Sequence, residues 1–138
     1  SSEALQAPLS LPSGWHVVDD RKRLLKLDAD GKAQVNFDLR PREGRTDDAI
    51  LAARLPDLQR QWPKMSHRRT EIAGMECLLV RDAQVERQPV EQAYILRSAP
   101  GAMVLQTRVT AMPSHFRRAV DLAQVLLRDL RFRDEAAG

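Results

Sequence analysis

Residues 33–41, "AQVNFDLRP", alternate strictly: Val35, Phe37 and Leu39 fall on one side, and Asn36, Asp38 and Arg40 on the other. A period of two over that length predicts a half-buried antiparallel strand with one wet face. The preceding run "RLLKL" (23–27) reaches it through "DADG" (28–31), so the pair predicts a β-hairpin. Upstream, "PLSL" (8–11) reads as a short strand, broken by the reversal at Pro12, Ser13 and Gly14. "WHVVDD" (15–20) restarts the extended chain, and Trp15 is expected to pack over the first hairpin.

The period changes at Thr46. Thr46 or Asp47 can cap a helix with an acidic first turn, and Ile50, Leu51, Leu55, Leu58 and Trp62 recur at helical spacing. Pro56 lies inside that run and predicts a kink or two short helices, which Pro63 ends. Four strand-like runs follow: "SHRRTEIAG" (66–74), "MECLLVRDAQ" (75–84), "EQAYILRSA" (91–99) and "AMVLQTRVT" (102–110). Gly74, "RQP" and "PG" separate them, which predicts an antiparallel meander. The last helix, "PSHFRRAVDLAQVLLRDL" (113–130), sets Phe116, Ala119, Val120, Ala123, Leu126, Leu127 and Leu130 against a charged face, with Ser114 as its expected N-cap. "RFRDEAAG" adds a short extended piece and a tail. The fold class is therefore α+β, a central antiparallel β-sheet with helices packed on it. Its organisation is a flexible lead-in (1–7), one domain (8–133) and a C-terminal tail (134–138).

At 138 residues the chain is long enough to fold on its own hydrophobic core. Charge changes the picture little. Twenty-two Lys and Arg face nineteen Asp and Glu, and the signs are interleaved: "RKR" follows "VVDD", and "HRR" precedes Glu71. Two Trp, one Tyr and three Phe, scattered, offer no stacking platform, so a nucleic-acid partner is not expected. No apolar run reaches the roughly 18 residues a membrane helix needs. The "SSEALQ" start is compatible with a mature envelope protein that has lost a lipid anchor. The single cysteine, Cys77, excludes an internal disulfide and, inside "MECLLV", reads as an inert core thiol.

Candidate chemistry is sparse. "DADG" starts like a calcium loop, but the positions where ligands are needed hold Lys32 and Leu39, so it reads as a turn. His16, His67 and His115 are far apart, with no metal-ligand spacing among them. There is no G-x-S-x-G elbow and no phosphate loop. No catalytic residue, metal or cofactor is expected, and a binding role carried by loops fits better than catalysis.

In this order the elements resemble the superfamily of the photosystem-II PsbP proteins, the Ran-binding protein Mog1 and the bacterial DcrB-like (DUF1795) proteins. The resemblance spans about residues 8–133. It rests on "LPSGW", the hairpin into "QVNFDLRP", the helix start "TDDAI", "RRTEIAGMECLLV" and "EQAYILRSAPGAMVLQTRVTAMPSHF". The family often ends its last helix with Ser-Phe, where this chain has "RDLRF". The resemblance implies an α/β/α sandwich that binds other proteins and is not an enzyme. Two bacterial uses fit. One is an immunity protein that inhibits a type VI-secreted, cell-wall-degrading toxin, periplasmic and lipid-anchored. The other is an effector-associated secretion chaperone in the cytoplasm. The polar face of "QVNFDLR" favours the first.

An inhibitor is expected to present a loop or hairpin to its target. The segment "DAQVERQPVEQ" (82–92) supplies Gln84, Glu86, Arg87, Gln88 and Glu91 as candidate contacts. The loop "RPREGRTDD" (40–48), expected beside it, adds Arg42 and Arg45.

Overall fold

The alternating run becomes the strand it predicts, near the middle of a seven-stranded sheet. The computed structural model describes residues 5–6, 10–21 and 24–132. Along the chain the elements are β1 (Leu5–Gln6), β2 (His16–Arg21), β3 (Leu24–Asp28), β4 (Ala33–Pro41), α1 (Asp47–Ala52) and α2 (Leu55–Gln61). Then come β5 (Ser66–Ile72), β6 (Met75–Val85), β7 (Gln88–Ala99), β8 (Met103–Ala111), α3 (Pro113–Asp129) and β9 (Arg131–Phe132). The large sheet has the order β2-β3-β4-β8-β7-β6-β5, and every neighbouring pair is antiparallel. β1 pairs with β9 alone.

Successive residues of β6, β7 and β8 enter different cores, so helices cover opposite faces of that part of the sheet. Leu25, Leu27, Val35, Phe37, Leu39, Ile95, Leu105 and Val109 pack with Ala119, Ala123, Leu126 and Leu127 of α3. Leu78, Val80, Tyr94, Leu96 and Val104 pack with Ile50, Leu51 and Leu58 of α1 and α2. The architecture is an α+β sandwich with the antiparallel sheet as its middle layer.

Local chemistry accounts for the helix boundaries. Thr46 Oγ1 accepts from the Ala49 N–H at 3.1 Å, and Asp47 and Asp48 occupy the positive end of α1. Pro56 has no N–H to give the Ala52 carbonyl, so the helix restarts and Pro56 sits in the first turn of α2. α3 departs from expectation: its N-cap is Met112 and Pro113 takes the first helical position, so Ser114 lies at the second helical position, too far in to cap.

Other expectations are corrected at particular residues. Leu5 and Gln6, expected in a flexible lead-in, are a strand, because Arg131 and Phe132 offer them a free edge. Residues 1–4, 7 and 134–138 lie outside the described residues. Of the "PLSL" strand, Ser10 and Leu11 are not extended into any sheet, and Pro8 and Leu9 lie outside the described residues. The Pro12 turn is present, closed by the Trp15 N–H on the Pro12 carbonyl at 3.2 Å. Trp15 is half-buried against the core shared by the first hairpin and α3.

Candidate functional site

α1 and α2 cover only part of their face of the sheet, and polar side chains pave the rest. On β4 these are Gln34, Asn36, Asp38 and Arg40, partnered across β8 by Thr110, Arg108, Gln106 and Val104. β7 continues the strip with Gln92 opposite Thr110 and Tyr94 opposite Arg108. β3 extends it outward with Lys26 beside Asn36.

The strip is ordered from beneath. The Tyr94 hydroxyl donates to Gln92 Oε1 at 2.7 Å, and Gln92 Nε2 donates to Thr110 Oγ1 at 3.0 Å. Both Gln92 and Tyr94 are 5% exposed, so this network is fixed within the fold. Arg54, at the junction of α1 and α2, lays its guanidinium over the Tyr94 ring, 5.2 Å from the centroid, and donates to Gln106 Oε1. With the Asn36 carboxamide oxygen turned toward it, Arg108 Nε donates there at 3.3 Å.

Of these groups, Arg54, Tyr94, Gln106 and Arg108 line an open cleft of about 340 Å³ together with Arg45, Ile50, Asp57, Leu58 and Gln61. Its charge is predominantly positive. Burial lowers the Arg54 pKa, and the guanidiniums of Arg108 and Arg40 push the same way against Tyr94 and Asp38. Burial raises the Tyr94 pKa, opposed by Arg108 and Arg54.

The two loops expected side by side are at opposite ends of the sheet. The 40–48 loop leaves β4 where Pro41 pairs with Met103, whereas the β6–β7 turn projects beyond the end where Ala33 pairs with Ala111. At about 3.4 Å per strand residue, the length of β4 separates them by roughly 27 Å. The 82–92 segment is the hairpin that joins β6 to β7. β6 and β7 pair up to Val85 and Gln88, which leaves Glu86 and Arg87 as the tip, with a bulge between Val80 and Ala83. The tip residues have φ of 51° and 69°, the signature of a type I′ hairpin turn, built without Asn or Gly.

The candidate contacts therefore divide. Glu86, Arg87 and Gln88 are exposed at the tip, and Glu86 and Gln88 border a cavity of about 180 Å³ with Lys32, Gln34 and Thr110. Gln84 is exposed and its carbonyl accepts from Trp62 Nε1 at 2.7 Å. Glu91 is half-buried on the α3 face, 3.5 Å from Arg81. Arg42 is committed to the fold, donating to Asp47 Oδ1 at 2.8 Å, the Arg45 carbonyl at 3.1 Å and Ser98 Oγ at 3.2 Å. Arg45 reaches the cleft beside Arg54. Sequence reasoning missed Arg54, Arg108, Tyr94, Gln92 and Gln106. For the strand residues the available signal was the alternation of Gln106, Arg108 and Thr110 in "LQTRVT" and of Gln92 and Tyr94 in "EQAY".

Elsewhere the chemistry is local. Ser114 Oγ lies 3.0 Å from His115 Nδ1, a contact between neighbours on the first turn of α3. Among the described residues no group of His, Cys, Asp and Glu could hold a metal. A larger groove of about 620 Å³ runs beside α3, lined by Met75, Arg97, Val125 and Leu127.

No protein-family model matches the sequence, and no curated protein matches it. Among solved structures the chain is similar to LpqN of Mycobacterium tuberculosis, described as involved in cell envelope biogenesis. The two are 16% identical, the match covers 93% of this chain and 82% of LpqN, and the TM-score is 0.53. At that identity the likeness establishes a shared fold.

Proposed function

We propose that this chain is a non-enzymatic protein-binding domain of the bacterial cell envelope, belonging to the PsbP/Mog1/DcrB-like superfamily. Within that class we read it as an immunity protein that binds and inhibits a type VI-secreted, cell-wall-degrading toxin in the periplasm. The observation that carries the reading is the free face of the sheet: a strip of charged and amide side chains, fixed by the Tyr94–Gln92–Thr110 network. Such a surface suits a folded, polar partner, because each of its groups can be satisfied across an interface without reorganising. The envelope role of LpqN, which shares the fold, supports the compartment, and no described helix is long and apolar enough to cross a membrane.

The alternative, a cytoplasmic chaperone for effector segments, calls for a continuous apolar groove on the open face. Among the described residues the exposed large apolar side chains are instead Val17 and Val18 on β2, Val85 at the hairpin and Val125 on α3. They are spread over three elements.

The test is affinity capture with the tagged chain from envelope and cytoplasmic extracts of the native organism, with mass spectrometry of what is retained. Retention of one secreted hydrolase from the envelope fraction supports the immunity reading. Retention of an effector bearing membrane segments, from the cytoplasm, replaces it with the chaperone reading.

A further inference from the structure

We infer that the cleft where α1 and α2 meet the open sheet face receives an acidic side chain of the protein partner, its carboxylate held between the guanidiniums of Arg54 and Arg108 with Arg45 at the rim. The inference rests on the protein-binding reading above and specifies the chemistry of the partner.

Charge accounting around the cleft carries the argument. Its neighbouring arginines are already matched: Arg40 with Asp38 at 2.7 Å, Arg42 with Asp47 at 2.8 Å, and Arg60 with Asp57. Those pairs also occupy the nearby carboxylates. Arg54 and Arg108 contact the neutral groups of Gln106, Asn36 and Tyr94, and among the described residues neither is within ion-pairing distance of a carboxylate. Two guanidiniums thus share one cleft with no ion-pair partner of their own among the described residues.

Geometry makes the site ready for use. Arg54 comes from a helix junction and Arg108 from the middle of β8, more than fifty positions later in the chain, yet both border the same space. Arg54 is held by its stack on Tyr94, and Tyr94 is held by Gln92 and Thr110, so little side-chain freedom remains to be lost on binding. A guanidinium presents paired N–H donors that match the two oxygens of a carboxylate. Ile50, Leu58 and the Tyr94 ring provide an apolar wall for the methylenes of an aspartate or glutamate. An entering carboxylate also relieves the repulsion between the two cations.

The test uses the full chain and a fluorescein-labelled hexaglutamate peptide, with binding read by fluorescence anisotropy at low salt. Arg54→Gln and Arg108→Gln are each expected to weaken binding by roughly fivefold or more, and the double variant further. Arg117→Gln, on α3 across the sheet, is expected to leave it unchanged. Equal binding by the double variant and the wild type overturns the inference. So does an equal loss in Arg117→Gln, which would mean diffuse charge attraction. Displacement of the peptide by inorganic phosphate at matched ionic strength would also overturn it, by making this a general oxyanion site. Because a variant can misfold, the side-chain Nε–Hε NMR signals of the wild-type arginines are followed as well. Arg54 and Arg108 should move on adding the peptide while Arg117 stays still, and stationary Arg54 and Arg108 signals overturn the site. Failure here with a partner still captured removes only this cleft. A captured partner that is no protein toxin removes the functional reading and leaves the peptide result standing.

Discussion

The Arg97 guanidinium lies 4.8 Å from the centroid of the Phe132 ring, joining β7 to the strand that follows α3. Its Nη1 also donates to the carbonyls of Leu127 at 2.5 Å and Leu130 at 3.0 Å. These are carbonyls at the C-terminal end of α3, where a cation both satisfies an orphan acceptor and complements the helix dipole. One side chain therefore ends the helix and anchors the final strand. Arg97→Met keeps most of the stem packing and loses the charged donors, so a loss of about 2 to 3 kcal/mol is expected by chemical denaturation. A loss under about 0.5 kcal/mol would mean that water replaces the guanidinium at no cost.

Thr107 places a hydroxyl where none is used. It is 1% exposed on the α3 face, in register with Phe37 and Ile95, and among the described residues its Oγ1 has no hydrogen-bond partner. Thr107→Val keeps the shape and removes the desolvated group, so stability should rise by about 1 kcal/mol. An unchanged or lower midpoint in urea would show that the hydroxyl is satisfied in solution.

The hairpin tip allows stability and binding to be separated. Glu86 and Arg87 both adopt left-handed backbone, which costs an ordinary residue about 1 to 2 kcal/mol that glycine avoids. Replacing the pair with Asn-Gly should raise the melting temperature. Reversing the charges with Glu86→Lys and Arg87→Glu should leave it unchanged while weakening capture of the partner. Unchanged capture in both variants takes the tip out of the interface.

Cys77 gives the pH dependence. It is fully buried and its thiol pKa is pushed up from 9.0 to about 12, chiefly by burial, with Glu76 adding to the rise and Arg69 and a hydrogen bond from the Tyr94 backbone opposing it. Below about pH 7.5 both states keep the proton and the thiol contributes no slope. Above that the unfolded chain ionises first, so stability falls as pH rises toward 12. Cys77→Ala should lessen that decline. In the native state at pH 8 the thiol should resist alkylation at a rate set by unfolding. Rapid labelling without unfolding would contradict this.

Much of the fold was legible because the strongest signals are local. The alternation of Val35, Phe37 and Leu39 needs only the pleat, and the split at Pro56 needs only a missing N–H. Expectations failed where the deciding contact is distant. Nothing in Leu5–Gln6 announces that Arg131–Phe132 will pair with it. Proline and charge in "DAQVERQPVEQ" mark an exposed connection, but how far the ladder between β6 and β7 runs into it depends on the partner strand. The placing of the 40–48 loop beside that hairpin failed because the strand order, β4-β8-β7-β6, was not readable from the sequence. The cleft was hidden for the same reason: Arg54, Tyr94 and Arg108 come from three elements that meet only through that order.

The most direct measurement is a titration of the captured hydrolase, acting on purified peptidoglycan, with this chain. Hydrolysis is expected to fall to background at one-to-one stoichiometry, and to recover when Arg54→Gln/Arg108→Gln replaces the wild type at the same concentration. Undiminished hydrolysis at stoichiometric excess, or hydrolysis by this chain alone, would contradict the reading of it as a non-enzymatic inhibitor.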